Sequence, residues 1–343
     1  MSIEQIVEDW PTVQERWRAW WEQDLVDRPV VCVTAPREGM PAAQVEPVGP
    51  ETQWTDVHHM VRRGLKIVRA TYYGGEALPI CFNPTSVGHA LYFGCPVHYT
   101  DQATWVDPAP AGKDGRPSFD SWQESPWWRW ALDTATAFAQ GSQGRYFALP
   151  WNGNHTGDIL AAVRGLDALM LDIALDPAWV KWAAKTVSDI LIEVHEQLWA
   201  TIQRELTGGI EGSCNHVGCW SPVRTWVFDC DISCMISTTA FNEIFLPPMV
   251  EAMQPVCHRV YHLDGPGAIR HLDALLALPD LHAIEWVPGA GRDEDMLTWV
   301  PLVQRIQEHG KSIVTSVPYA QVESFLRAVR PEGICIRTRA ASE

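Results

Sequence analysis

The stretch Val260-Tyr261-His262-Leu263-Asp264-Gly265-Pro266-Gly267 places a histidine and an aspartate at alternate positions where an apolar run meets a turn. Residues two apart on a strand point the same way, so His262 and Asp264 can converge on one small object, a metal ion or a polar group of a substrate. Glu285 and Cys335 sit at two later strand exits, in residues 282–287 and 333–337. With His262 and Asp264 they make a candidate ligand set, and imidazole, carboxylate and thiolate donors suit Zn²⁺. Each residue also has a plainer use. Asp264 can cap the helix after Gly-Pro-Gly with His262 hydrogen-bonded to it, and Cys335 can be a core thiol in an apolar strand.

A second set lies upstream. Asp229 and Asp231 are two apart after residues 225–228, so they can share a face, and paired carboxylates raise the pKa of one member for acid–base work. Cys214-Asn215-His216-Val217-Gly218-Cys219 offers three soft donors in six residues, with Cys230 or Cys234 as a fourth for a closed zinc knuckle. His216 as a pocket residue or proton donor is the preferred alternative, and His216 and Asp231 are the expected catalytic pair. Asn83, Trp151, Asn152, His155 and Trp286 are the expected pocket walls. Arg37, Arg145 and Arg224 are candidate anion clamps, or solvated surface charges. No nucleophile elbow, P-loop or Schiff-base lysine context stands out.

These residues need elements that bring them together. Short β-branched runs alternate with helical patterns about eight times, as in an α/β chain folded into a TIM (β/α)8 barrel, where strand C-termini share one pocket. No Gly-x-Gly-x-x-Gly follows the first strand at residues 30–34, so the rival, a doubly wound dinucleotide fold, lacks its fingerprint. The whole chain, 1–343, is expected to be one barrel domain. Residues 1–28 read as an N-terminal helical extension, with a stripe of Trp10, Val13, Trp17, Trp20, Trp21 and Leu25. Residues 96–125, rich in Pro and Gly, read as a lid or insertion loop. The 18 tryptophans serve as packing anchors or as the walls of an aromatic pocket.

Composition narrows the partners. A formal net charge of -16 with no basic run argues against nucleic acid and anionic membranes. No apolar run approaches the ~20 residues that span a bilayer, and the first residues lack a signal peptide, so a cytoplasmic location is expected. The nine scattered cysteines then stay thiols.

From about Trp220 onward the chain resembles the uroporphyrinogen decarboxylase-like superfamily. The resemblance rests on Trp220-Ser221-Pro222, Asp229-Cys230-Asp231-Ile232-Ser233-Cys234-Met235-Ile236-Ser237, Phe241, Pro247, Tyr261 to Gly267, Ile284-Glu285-Trp286-Val287-Pro288-Gly289 and Gly310-Lys311. Residues 158–172, with Arg164-Gly165, match less closely. The superfamily's TIM barrels include the decarboxylase, corrinoid-linked methyltransferases and, as a relative, cobalamin-independent methionine synthase. In the methyltransferases a zinc site takes a His-x-Cys strand exit and a later Cys, in some with a Glu between. Here His262 matches the His, Asp264 stands at the Cys position, Glu285 falls at the Glu, and Gly333 or Cys335 falls at the late Cys. A carboxylate in place of a thiolate makes the site harder. The decarboxylase's Arg-rich N-terminal signature is absent, with Ala35-Pro36-Arg37-Glu38 in its region.

The resemblance implies a metal-dependent methyltransferase-like enzyme acting on a small molecule, with a corrinoid protein as a possible methyl-donating partner. The alternatives are a metal-free decarboxylase or lyase using Asp231 and His216, and a non-catalytic protein that binds a corrinoid or aromatic ligand. A homodimer is compatible with all three.

Overall fold

The computed structural model describes residues 2–40, 46–83, 85, 88–149, 156–289, 291 and 295–343. Among the described residues, eight strands with parallel partners and one antiparallel edge strand, β2, make up the core: β1 (Val30–Pro36), β2 (Thr71–Gly75), β3 (Ile80–Cys81), β4 (Phe147–Ala148), β5 (Thr225–Phe228), β6 (His258–Asp264), β7 (Ala283–Val287), β8 (Ser312–Ser316) and β9 (Ile334–Arg339). Seven of them form one sheet in the order β2-β1-β9-β8-β7-β6-β5, and β3 and β4 pair separately. Every pairing from β1 round to β5 is parallel. Helices separate successive parallel strands, as parallel pairing requires. Strands β7 and β8 are buried along nearly their whole length, which is why they read as continuous apolar runs rather than alternating ones.

The expected closed eight-stranded ring is not completed by hydrogen bonds among the described residues. One cause is β2, which the sequence reading missed. It pairs antiparallel along the outer edge of β1 and occupies the hydrogen-bonding groups that a next parallel strand would use. Its end is fixed by Glu76, a fully buried carboxylate that accepts from Arg16 at 2.9 Å, from Arg28 at 2.7 and 2.8 Å, and from the Val31 amide at 2.9 Å. Gly75 has φ +60, and a Cβ there would lie 2.1 Å from the Val31 carbonyl oxygen, so only glycine fits.

The N-terminal extension is two helices, Ile3–Ile6 and Trp10–Trp21. The second lies across the strands' N-terminal ends. The Ser312 hydroxyl donates to the Trp20 carbonyl at 2.7 Å, Trp21 Nε1 donates to the Trp220 carbonyl at 2.7 Å, and the Trp21 ring stacks on His258. Trp17, Trp20 and Trp220 are fully buried. These tryptophans anchor the helix at the opposite end of the strands from the candidate site. Residues 96–125 are ordered: Val97–Tyr99 and Thr104–Val106 form a hairpin, Ala109 bonds to Val163, and Phe119 packs on Phe93 and Trp182. Among the described residues, no helix is long and apolar enough to cross a membrane.

Candidate functional site

Strand register decides which side chains meet. His262 stands opposite Glu285, Glu285 opposite Val314, Val314 opposite Cys335 and Cys335 opposite Val30, one row across β6, β7, β8, β9 and β1. One step nearer the C-terminal ends, Asp264 faces Val287, and Arg337 lies between Ser316 and Cys32. The opposite face, with Leu263 and Trp286, turns to the helices. Trp286 is fully buried and packs on Trp299 with ring centroids 4.9 Å apart.

Asp231, His262 and Asp264 bring one ligand atom each within 4.8 Å of one another. This is the set of three potential donors among the described residues, and it differs in membership from the set read off the sequence. Asp264 occupies the N-cap position of the short helix Gly265–Ala268, yet its side chain makes no capping hydrogen bond. The cap that competed with ligation is therefore not made, and His262 bonds elsewhere. Its Nδ1 meets Glu285 Oε2 at 2.6 Å, and Glu285 Oε1 accepts from Arg337 at 2.5 Å. Glu285 thus stands behind the histidine and orients it, the usual partner of a metal-bound imidazole, and Nε2 remains for an ion. Cys335 lies apart from the group, buried with its Sγ 4.0 Å from Cys32 Sγ. Burial raises its thiol well above the ordinary value, so it stands as a protonated core thiol.

Charge follows the same chain of contacts. Burial pushes the Glu285 carboxyl up, but Arg337 and then His262 outweigh it and hold the pKa at about 2. Burial disfavours the His262 imidazolium, but Glu285, with Asp231 and Asp229 behind it, raises the pKa to about 9.

Asp231 opens a 3₁₀ turn, Asp231–Met235, directly beyond β5. A residue the sequence reading did not place in the site holds that turn. Asp158, in the first turn of the helix Thr156–Arg164, accepts from the amides of Asp231 and Ile232, each at 3.0 Å. Gly157 allows this approach, because a Cβ there would lie 2.7 Å from Cys230 Sγ. Burial, then Asp229 and Asp231, raises the Asp158 carboxyl well above the ordinary range. The expected Asp229–Asp231 pair thus has a third member in Asp158, whose own carboxyl is raised. The visible signal was the segment 158–172, which matched the superfamily only weakly.

Among the described residues, the donors of the zinc knuckle do not gather within ligand reach of one another. The Asn215 side chain accepts from the Cys219 amide at 3.0 Å and donates to Thr225 at 3.1 Å, tying Ser213–Cys214 and Trp220–Ser221 into a hairpin. Cys214 and Cys219 are buried core thiols, while Cys230 lies against Asp158. The hairpin's tip carries His216 to the wall of a cavity of about 880 Å³. That cavity opens at the C-terminal ends of β1, β8 and β9, lined there by Cys32, Pro36, Ser316, Arg337 and Arg339. Arg337 joins the two regions, since it lines the cavity and holds Glu285 behind His262. Asn83 and Trp286 are not in the cavity wall. Asn83 is buried and accepts from the Thr85 amide at 3.0 Å. Trp151, Asn152 and His155 lie outside the described residues. Arg145 bonds back to the carbonyls of Gly141 and Ser142, and Arg224 pairs with Glu196, so both serve surface structure.

The fold is shared with a methyltransferase. A solved structure, a methyltransferase from Methanosarcina mazei, superposes with a TM-score of 0.66 over 96% of this chain and 93% of that one, at 10% sequence identity. At that identity the likeness describes the fold alone. No protein-family model and no curated protein matches the chain.

Proposed function

We propose that this chain is a metal-dependent methyltransferase-like enzyme of the uroporphyrinogen decarboxylase-like superfamily, built on a (β/α)8 barrel. The observation that carries the reading is the convergence of Asp231, His262 and Asp264 from two neighbouring strand exits, with Glu285 behind the histidine. One imidazole and two carboxylates would hold a divalent ion, Zn²⁺ or a harder one, and leave a coordination position for substrate. Bound there, the ion would supply Lewis acidity toward a small thiol, amine or oxygen nucleophile.

The chain's own residues do the rest. Glu285 holds His262 through Nδ1 and fixes its orientation. Arg337 keeps Glu285 ionised. Asp158 fixes the turn that presents Asp231. His216 stands at the cavity wall, where it orients substrate or carries a proton. A corrinoid protein is the methyl donor this reading expects.

Metal analysis of protein purified without chelator tests it. The expected result is about one equivalent of divalent ion, with affinity reduced at least tenfold in His262→Ala or Asp231→Ala. Trace metal only, with activity unchanged after chelation, overturns it.

The raised Asp158 acid beside Asp229 and Asp231 favours a second reading, a metal-free decarboxylase or lyase. It predicts CO₂ release that persists in His262→Ala.

A further inference from the structure

The sign of charge around the large cavity runs against that of the molecule. The chain carries a formal net charge of -16, yet no aspartate or glutamate lines the cavity among the described residues. The charged side chains in its wall are Arg337 and Arg339, with His216 nearby. The carboxylates of this acidic chain are thus kept out of the described wall.

The two arginines differ in how they are held. Arg337 is fixed from behind: one Nη donates to Glu285 at 2.5 Å and the other to the Val217 carbonyl at 3.1 Å. Arg339, two residues further along β9 and on the same face, is exposed and has no ion-pair partner among the described residues. The cavity therefore has a cationic margin, one member anchored and one adjustable. Its other wall is apolar: Ile67, Leu78 and Ile80, with Tyr73 and Ala77. At about 880 Å³ it matches the size of sites for molecules of drug or cofactor scale.

We propose that this cavity takes a small-molecule carboxylate with an apolar body, its acid group at Arg337 and Arg339 and its body against Leu78 and Ile80. The assignment deepens the functional reading above, because it rests on the strand ends forming one substrate site. Arginine suits this task, since its planar fork binds a carboxylate through two parallel hydrogen bonds and keeps its charge at any working pH. The anchored Arg337 loses little freedom on binding. Selectivity follows from sign: an amine of the same shape meets like charge, and an alcohol forgoes the charge-assisted bonds.

Calorimetric titration of the metal-free protein with benzoate, benzyl alcohol and benzylamine is the test. Benzoate is expected to bind at least about tenfold more tightly than either neutral or cationic probe. Arg339→Gln is expected to weaken benzoate about tenfold and leave benzyl alcohol unchanged. Leu78→Trp, which fills the apolar side, is expected to weaken all three, with thermal melting checking that both variants fold. Equal binding of benzylamine and benzoate overturns the proposal, as does benzoate affinity that Arg339→Gln leaves unchanged. Because the titration uses no metal, a failure to find metal leaves this result standing, and a failure here leaves the metal site standing.

Discussion

Glu285 has two oxygens and two cationic partners, and it is buried to 3% exposure. Its neutral isostere would keep the shape and remove the charge that Arg337 and His262 share. Breaking one member of a buried ionic set leaves the others uncompensated, which costs about 3–5 kcal/mol. Glu285→Gln is therefore expected to lower unfolding stability by that amount in urea titrations, and to weaken metal binding about 10- to 100-fold through the loosened histidine. A variant with wild-type metal affinity would remove Glu285 from its orienting role. The sequence made His262, Asp264 and Asp231 legible as candidates, because each is a polar residue at an alternate position just where an apolar run ends. It did not make the Glu285–Arg337 pair legible. That pair joins residues 52 positions apart and depends on the register between β7 and β9, whose backbones are linked only through β8. Asp158 was hidden for a related reason. It lies 73 residues from Asp231, and its neighbours in the chain are helical, so nothing local marks it as part of a strand-exit site.

At the scale of elements, the alternation of apolar runs with helical stripes identified β1, β5, β6, β7, β8 and β9, each close to its observed limits. It missed β2, Thr71–Gly75, whose Thr-Tyr-Tyr-Gly-Gly has few aliphatic residues and directly follows a helix. What holds β2 is tertiary: the Glu76 ion set and the Gly75 contact with Val31. Gly75→Ala forces a Cβ against that carbonyl at positive φ and is expected to cost about 3 kcal/mol in denaturant unfolding. Metal stoichiometry should not change, because β2 lies at the far edge of the sheet from β5 and β6. Trp17→Ala tests the other element the sequence presented ambiguously. Trp17 is fully buried in the helix beneath the strands, so its truncation is expected to cost about 3–5 kcal/mol while benzoate binding in the folded fraction stays intact. Weakened ligand affinity in folded Trp17→Ala would return the N-terminal tryptophans to the pocket.

Across the whole molecule, the strand axis separates two electrostatic environments, and β6 samples both. His262, at its C-terminal end, faces Glu285, Asp229 and Asp231 and is pushed up to about 9. His258, at its start, is pushed down to about 4, first by burial, then by His282 and Arg259. Trp21 stacks on its ring at 4.3 Å, and Ser221 Oγ meets its Nδ1 at 2.8 Å. The groups around its neighbour His282 include Arg259, Lys311 and Asp280, and burial together with the two cations lowers His282 as well. A base whose folded pKa lies below its unfolded value binds more protons when unfolded. Stability therefore rises with pH between the two values and falls as pH drops from about 6.5 toward about 4. Glu285, held at about 2 against an ordinary 4.5, contributes its own loss from the foot of that window downward, so the limb above about pH 5 is the part that reports on His258. The acid limb of the stability curve between pH 6.5 and 4 is thus expected to carry a contribution from His258, at the end of the strands away from the candidate site. Urea unfolding at half-unit pH steps measures it. His258→Gln, which keeps a polar group near Ser221 but cannot take up a proton in this range, is expected to flatten that limb without changing metal binding at pH 7.5. A limb of unchanged slope in the variant would assign the acid sensitivity to other groups, and would also mean that the seat of Trp21 accommodates a charged imidazole.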